Sequence, residues 1–327
     1  MQFEYLEADL AGDQAMDLID APRIGRLSRM MLGTVQFGMP YGIANRTGQP
    51  EFSDVIEIMA AAVDSGVNCF DTASLYGTSE EVLGRALKTL RSVDGIVVVT
   101  KVRALRDEEL GDPRSAARAI EASVAQSRMR LQMDQLPLVL FHREADAVFL
   151  ETLHQLIDRG WIKNIGVSCN NFPGPALEFA RNPLVTALQI PANLADRRHP
   201  DSGVFDEALR NQVSVFIRSA FLQGLLLMPE SEVPATLQEI LPVRQHFEKL
   251  AADAGMRLPE LAVRYLLSLD GVTCILTGVE TVAHVHENVR LFALGRLPDD
   301  LFQAVHGFRS ELPEMIITPA QWPATGR

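Results

Sequence analysis

The chain has 327 residues, of which 47% are hydrophobic, and it carries a formal net charge of −12. This length suits either two domains or one large α/β barrel, and the negative charge argues against a nucleic-acid or anionic-membrane partner. The three cysteines lack a C-x-x-C spacing, no signal peptide is visible, and no apolar run approaches the about 20 residues of a membrane span, so we expect a reduced, cytoplasmic protein.

Strand and helix patterns alternate along the chain after an acidic, weakly patterned stretch at residues 1–23, which we expect to form an N-terminal extension. Short apolar runs predict strands, and apolar residues at helical spacing predict helices. The predicted strands are 30–34, 67–70, 96–101, 138–141, 165–168, 187–190, 214–218 and 273–276. The predicted helices are 54–65, 79–89, 113–130, 147–159, 175–180, 205–211, 236–253, 258–268, 281–291 and 298–310.

Eight strands that are each followed by a helix indicate parallel pairing with helical crossovers. Eight such units predict the α/β class and one closed (β/α)8, or TIM, barrel at residues 24–312, followed by a C-terminal tail at 313–327. No glycine-rich fingerprint follows the first strand, which disfavours a doubly wound dinucleotide-binding fold. In barrels of this kind the active site lies at the carboxyl ends of the strands.

Three successive strands end on side chains that suit acid–base chemistry. The second strand ends at Asp71, the third at Lys101 and the fourth at His142, and the loop after the second strand carries Tyr76. A carboxylate at a buried strand end is costly unless a cation meets it. A tyrosine hydroxyl titrates near pH ~10 and is a poor acid at neutral pH unless a cation lowers its pKa. Lys101 would meet both needs, so we predict that these four side chains lie together.

Further motifs accompany these four residues along residues 24–290. They are Leu32-Gly33-Thr34, the block 68–77, Thr100-Lys101, Phe141-His142-Arg143, the run 165–168, Gln189, Arg218-Ser219 with Gly224, and Glu287-Asn288. This ordered set resembles the aldo-keto reductase superfamily, and more loosely its bacterial, sugar-related members. The resemblance implies a catalytic tetrad of Asp71, Tyr76, Lys101 and His142. It implies hydride transfer between a nicotinamide and an aldehyde, ketone or sugar carbonyl, with Tyr76 as general acid or base.

The same resemblance implies which residues bind the cofactor, NAD or NADP. They are Gly33, Thr34, Ser168, Gln189, Arg218, Ser219, Phe221, Gly224, Gly278, Glu280, His284, Glu287 and Asn288. Ser168 and Gln189 would hold the nicotinamide carboxamide. The family usually has an asparagine directly after this serine, where this chain has Cys169, and it usually stacks a tyrosine on the nicotinamide where this chain has Arg218.

The loop after the eighth strand bears on the choice between NAD and NADP. In the family, basic residues early in this loop, and an arginine four residues before the adenine-side asparagine, commonly hold the 2′-phosphate of NADP. Here residues 277–281 contain no Lys or Arg, and Glu280 would repel a phosphate. The position four residues before Asn288 is occupied by His284, which is a weak cation at neutral pH. We therefore expect NAD(H) to be used at least as well as NADP(H).

Two other functions fit parts of the pattern. A non-catalytic, cofactor-binding regulatory subunit would keep the same residues, and a metal-dependent barrel hydrolase would need histidine pairs at strand ends. The pair His284 and His286 instead falls in a predicted helix, where residues two apart point about 200° apart, so no metal is expected. The run 197–199, Arg-Arg-His, suits either a solvated loop or a site for an anionic substrate group. The only partner we expect is a small carbonyl or sugar substrate, and the sequence leaves the oligomeric state open.

Overall fold

The computed structural model describes residues 16–43, 45, 48–91 and 94–322. Its strands are β1 (Leu18–Ala21), β2 (Gly25–Ser28), β3 (Met30–Gly33), β4 (Cys69–Asp71), β5 (Val97–Val102), β6 (Leu136–Phe141), β7 (Ile162–Ser168), β8 (Ala187–Pro191), β9 (Ser214–Arg218) and β10 (Val272–Gly278). β1 and β2 form an antiparallel hairpin. β3 to β10 are parallel and close into a barrel in which β10 pairs with β3. The predicted (β/α)8 barrel is confirmed.

Helices surround the barrel on its outer side. They are α1 (Val35–Gly38), α2 (Phe52–Asp64), α3 (Ser79–Leu90), α4 (Asp107–Leu110), α5 (Pro113–Leu131), α6 (Leu150–Asp158), α7 (Pro173–Arg181), α8 (Val204–Arg210), α9 (Leu241–Asp253), α10 (Leu258–Ser268), α11 (Val282–Ala293) and α12 (Asp299–Gly307). Six-residue 3-10 helices precede α6 and α9, where the sequence predicts single longer helices. Across the residues described, no helix combines the length and the apolar character that crossing a membrane requires.

The core has two parts because successive side chains of a strand point to opposite faces. In β3, Met30 and Leu32 pack in the large cluster between the strands and the helices, whereas Met31 packs in a smaller cluster inside the barrel. β4 repeats the pattern, with Phe70 outside and Cys69 inside. Strands that are buried on both faces read as continuous apolar runs, which explains why the barrel strands were readily predicted.

The β1–β2 hairpin covers the amino-terminal mouth of the barrel. Leu27 is fully buried against the interior cluster. The guanidinium of Arg23, at the turn of the hairpin, donates hydrogen bonds to the carbonyls of Pro183 and Val185, which precede β8. The hairpin crosses position 23, where the sequence placed the start of the barrel domain, and the domain boundaries stay a prediction. Most of the expected N-terminal extension (residues 1–15) and the end of the tail (323–327) lie outside the described residues.

Candidate active site

The carboxyl ends of three neighbouring strands bring the four predicted side chains together. Asp71 ends β4, Lys101 lies near the end of β5, and His142 directly follows β6. The Nζ atom of Lys101 lies 2.7 Å from Oδ1 of Asp71 and 3.4 Å from the hydroxyl oxygen of Tyr76. The rings of Tyr76 and His142 meet edge to face, with their centroids 5.6 Å apart.

Asp71 and Lys101 form a buried ion pair. Both side chains are almost completely inaccessible to solvent, and Lys101 also donates to the carbonyl oxygen of Thr72 at 2.9 Å. Burial lowers the pKa of Lys101, and the charge of Asp71 opposes this effect. Nε2 of Gln189 donates a second hydrogen bond to Oδ1 of Asp71 at 2.7 Å. This glutamine, which the sequence assigned to the nicotinamide, therefore also helps to stabilise the buried carboxylate.

Two close contacts fix the loop that carries Tyr76. Gly38, at the end of α1, and Gly77, directly after Tyr76, approach each other so closely that a Cβ on either would overlap the backbone opposite. Gly77 also has a φ of +56°, which favours glycine. Next to this contact, the hydroxyl of Ser79 donates to the backbone carbonyl oxygen of Thr34 at 2.7 Å. The hydroxyl of Thr34 donates to the backbone carbonyl oxygen of Asp71 at 2.8 Å. The loop and the strand end are thus held as one unit.

The pKa of Tyr76 is raised above its usual value. Burial is the largest cause, the negative charge of Asp71 is the next, and Arg218 acts in the opposite direction. The sequence predicts instead that Lys101 lowers this pKa. The difference has a physical reason, because the tyrosine is desolvated and the charge of Lys101 is already matched by Asp71 at 2.7 Å. Tyr76 is consequently protonated at neutral pH, which is the form that a proton donor requires.

His142 is neutral in the same surroundings. Burial, followed by the charges of Lys101 and Arg218, lowers the pKa of His142 to about 3. Its Nδ1 atom is buried and has no hydrogen-bond partner among the described residues. A neutral imidazole has one donor nitrogen and one acceptor nitrogen. With Nδ1 as the bare acceptor, Nε2 carries the hydrogen and can donate to an oxygen in the cavity.

A cavity of about 800 Å³ opens beside these side chains at the carboxyl mouth of the barrel. Nine of the predicted cofactor residues line it, namely Gly33, Ser168, Gln189, Arg218, Ser219, Phe221, Gly224, Gly278 and Glu280. Thr34, His284, Glu287 and Asn288 are not among its lining residues. Glu287 pairs with Arg257 at 2.6 Å, and Nδ1 of His284 accepts from the backbone N–H of Glu280 at 3.3 Å. Their contact with a cofactor stays a prediction.

The loop after β9 contributes an unusual backbone to this cavity. Ser219, Leu222 and Gln223 have φ values of 62°, 50° and 53°. A non-glycine residue in this left-handed region costs roughly 1–2 kcal/mol, and such strained positions cluster at ligand sites. Asn193 supports the loop by donating to the carbonyl oxygen of Ser219 at 3.1 Å, and Arg218 donates to the carbonyl oxygen of Cys169 at 3.0 Å.

The lining of the cavity includes Tyr76 and His142 as well as Gly278, at the end of β10, and Glu280, and its glycines leave room for a ligand to approach the backbone closely. In the part of the chain that the structure describes, no group of three or more His, Cys, Asp or Glu side chains is arranged to hold a metal ion.

Glu314 and residues 318–321, in the C-terminal segment, also line the cavity, which the sequence did not predict. Ile316 is fully buried, and the hydroxyl of Thr318 accepts hydrogen bonds from Asn171 at 2.8 Å and from Arg198 at 3.4 Å. Arg198 is itself held by Asp196 through two hydrogen bonds of 2.8 Å. The basic run at 197–199 therefore fastens the C-terminal segment instead of forming a solvated loop.

Comparisons with known proteins agree with this arrangement. The family model described as the aldo/keto reductase family matches residues 29–309. The aldo-keto reductase YhdN of Bacillus subtilis is 30% identical over 287 residues, which cover 80% of this chain and 82% of that protein. The holo form of aldo-keto reductase AKR11C1 from Bacillus halodurans has a TM-score of 0.71 at 23% identity, covering 92% of this chain and 99% of that one. Glycerol dehydrogenase AKR11B4 from Gluconobacter oxydans has a TM-score of 0.69 at 24% identity, covering 90% and 94%. At these identities the two structures are similar in fold.

Proposed function

This chain belongs to the aldo/keto reductase family, and from that premise we propose that it transfers a hydride between NAD(P)(H) and an aldehyde, ketone or sugar carbonyl, with Tyr76 as the general acid or base. One observation carries the proposal. The hydroxyl of Tyr76 lies 3.4 Å from the ammonium group of a buried Asp71–Lys101 pair, at the wall of a cavity large enough for a dinucleotide and a small substrate.

Each side chain then has a distinct task. A bound nicotinamide supplies or accepts the hydride. Tyr76 gives its proton to the carbonyl oxygen as negative charge develops there, and a positioned acid of this kind contributes typically about 10²–10⁴-fold to the rate. Nε2 of neutral His142 donates to the same oxygen and orients it. Lys101 stabilises the tyrosinate that remains, and Asp71 keeps Lys101 in place. Ser168, Arg218 and Ser219 would hold the cofactor.

The lining beyond the four residues bears on the substrate. The side chains of Tyr41 and Phe172 are exposed aromatic rings at the cavity, and Asn171 and Gln321 add amide groups beside them. Rings and amides together suit sugars as well as aromatic aldehydes. One protein of similar fold is named a glycerol dehydrogenase. We propose small sugars, polyol-derived carbonyls and aromatic aldehydes as the first substrates to test.

A single assay separates this function from a non-catalytic regulatory subunit. Purified protein is mixed with NADH or NADPH and the substrate panel, and the near-ultraviolet absorbance of the reduced cofactor is followed. We expect the absorbance to fall with at least one carbonyl compound. Cofactor binding without turnover across the whole panel would favour the regulatory subunit, and absence of both binding and turnover would overturn the proposal.

We further propose that NAD(H) is used at least as well as NADP(H). Glu280 lines the cavity, and its carboxylate would repel a 2′-phosphate while it could accept a hydrogen bond from a ribose hydroxyl. Fluorescence titration with both reduced cofactors measures the preference. A tenfold or greater preference for NADPH, about 1.4 kcal/mol, would contradict this proposal. Glu280→Arg should shift the affinity ratio towards NADPH, whereas Glu314→Arg, on the C-terminal segment of the same cavity, should leave it unchanged.

A further inference from the structure

Gln36 is a polar residue that lines the cavity and has no role in the catalytic mechanism proposed above. It lies in α1, directly after β3, and its carboxamide is half-buried. Its Oε1 atom is buried and has no hydrogen-bond partner among the residues described. A buried acceptor that lacks a partner is unfavourable, and such groups in a native protein require an explanation.

The carboxamide lies over a notch from which side chains are absent. Gly33 and Gly278 are paired in register at the ends of β3 and β10, and both line the cavity. A Cβ on Gly278 would come within 2.9 Å of Nε2 and 3.3 Å of Oε1 of Gln36. The φ of Gly278 is not in the left-handed region, so the backbone conformation does not demand glycine there. A Cβ there would instead displace the flexible end of the Gln36 side chain.

We propose that the flexible carboxamide of Gln36 turns towards this notch when the dinucleotide binds and positions it by accepting, at Oε1, a hydrogen bond from a ribose hydroxyl. The inference rests on the proposed function, because it requires a nicotinamide dinucleotide in the cavity. The chemistry of the atom selects the group. Oε1 needs a donor, and the phosphates of a dinucleotide offer only acceptor oxygens at neutral pH, whereas each ribose offers hydroxyl donors. The amino group of the adenine is expected beside Asn288. The amino group of the nicotinamide is expected at Ser168 on β7, across the barrel mouth from β3 and β10.

The test uses Gln36→Leu, which keeps a similar size and removes both polar atoms. The Kd for NADH, measured by fluorescence titration, should weaken about five- to tenfold, because one hydrogen bond to the cofactor is lost. The melting temperature of the cofactor-free protein should stay the same or rise, because an unsatisfied buried acceptor has been removed. The kcat at saturating cofactor should change little. A purely structural role would lower the melting temperature instead.

Two further variants sharpen the test. Gly278→Ala places a methyl group against the carboxamide of Gln36, so it should weaken NADH binding by a similar factor, and the two substitutions combined should cost less than the product of their separate effects. Gln155→Leu makes the same chemical change on the exposed face of α6 and should alter neither the Kd nor the melting temperature.

The outcomes separate this inference from the proposed function. Normal NADH binding by the unsubstituted chain, with an unchanged Kd in Gln36→Leu, would overturn the role of Gln36 alone. A lowered melting temperature in Gln36→Leu would assign the side chain to the fold and would also overturn it. An unsubstituted chain that binds neither NADH nor NADPH would overturn the proposed function, and this inference with it.

Discussion

Two groups that could exchange protons lie side by side in the cavity, and their surroundings push their pKa values in opposite directions. Burial raises the pKa of Tyr76 and lowers that of His142 to about 3. At neutral pH both side chains are uncharged, and each carries one hydrogen. Only the tyrosine has a buried ammonium group, that of Lys101, at 3.4 Å to stabilise the anion left after proton transfer. In the proposed mechanism Tyr76 is therefore the acid, and His142 is a hydrogen-bond donor that would orient the substrate.

Tyr76→Phe tests this division of roles. The substitution removes only the phenolic oxygen, so it should lower kcat by at least about a hundredfold while the fold and the Kd for cofactor are kept. Steady-state kinetics and fluorescence titration measure the two quantities. Tyr265→Phe is a matched control, because Tyr265 is buried among α10 and α12 and its hydroxyl contacts His306 instead of the cavity. Near-normal turnover of a folded Tyr76→Phe protein would contradict the assignment.

The lowered pKa of His142 has a consequence for stability at acidic pH. The unfolded chain binds a proton at this residue below about pH 6.5, whereas the folded chain does not until about pH 3. The unfolded state therefore holds more protons in this window, and the free energy of unfolding falls as the pH falls. At pH ~5 the loss from this residue is roughly 2 kcal/mol.

His142→Gln should remove this contribution, so the free energy of unfolding should change less steeply with pH between about 6.5 and 4. Urea unfolding at several pH values measures the slope. The comparison must be made as a difference from the unsubstituted chain, since the pKa values of His199 and His306 are also lowered by burial and act in the same direction. Equal slopes in the two proteins would show that His142 is protonated in the folded state.

The residues of this site differ in how far the sequence could identify them. Asp71, Lys101 and His142 could be predicted to meet because each ends a strand and parallel strand ends meet at one mouth. The direction in which the pKa of Tyr76 is shifted could not be predicted from the sequence, because it depends on how deeply the ring is buried. The unpartnered Oε1 of Gln36 is likewise a property of packing, and no sequence pattern reports it.

Among the elements, the C-terminal segment has no extended secondary structure to hold it. Its residues 314–321 rest on the buried side chain of Ile316 and on hydrogen bonds from two loops of the barrel. Asn171 follows β7, and Arg198 follows β8 and donates to the carbonyl oxygen of Ile317 at 3.2 Å. A few polar contacts therefore hold the segment at the cavity, and we expect each of them to matter for binding of the proposed substrate.

Thr318→Val probes these contacts. It keeps the shape of the side chain and removes the hydroxyl that accepts from Asn171 and Arg198. We expect the KM for the carbonyl substrate to rise about fivefold, which corresponds to roughly one hydrogen bond, with kcat and the Kd for NADH unchanged. Thr89→Val, at an exposed position of α3, is the matched control. A parallel loss of NADH affinity, or no change in KM, would mean that the segment does not bound the substrate.

The elements that the sequence missed share a physical cause. β1 and β2 have the sequences LIDA and GRLS, in which charged residues occupy strand positions because the hairpin lies partly exposed at the end of the barrel. The helices α1 and α4 have only four residues each, too few to establish a helical period. The barrel strands, in contrast, are mostly buried on both faces and are predominantly apolar, with polar side chains such as Asp71 and Lys101 near their carboxyl ends.

In the molecule as a whole, the two ends of the barrel have different roles. The carboxyl mouth carries the cavity, the four proposed catalytic side chains and the C-terminal segment. The amino mouth is covered by the β1–β2 hairpin, whose Leu27 and Ala21 extend the interior cluster. In this type of barrel the active site is expected at the carboxyl mouth, and residues at the amino mouth are expected to contribute to stability. Stability and activity should therefore respond to substitutions at different ends of the barrel.

Leu27→Ala tests this separation. Leu27 is fully buried, so truncating it should leave a space in the interior cluster and lower the free energy of unfolding by about 2–5 kcal/mol. Because the cavity lies at the opposite mouth, kcat/KM should stay close to normal at temperatures where the variant is folded. Denaturant unfolding and steady-state kinetics measure the two effects, and Leu209→Ala, at an exposed position of α8, should change neither. If Leu27→Ala instead lost activity while its stability was unchanged, the hairpin would be coupled to the active site through the interior of the barrel, and the two ends could not be treated as independent.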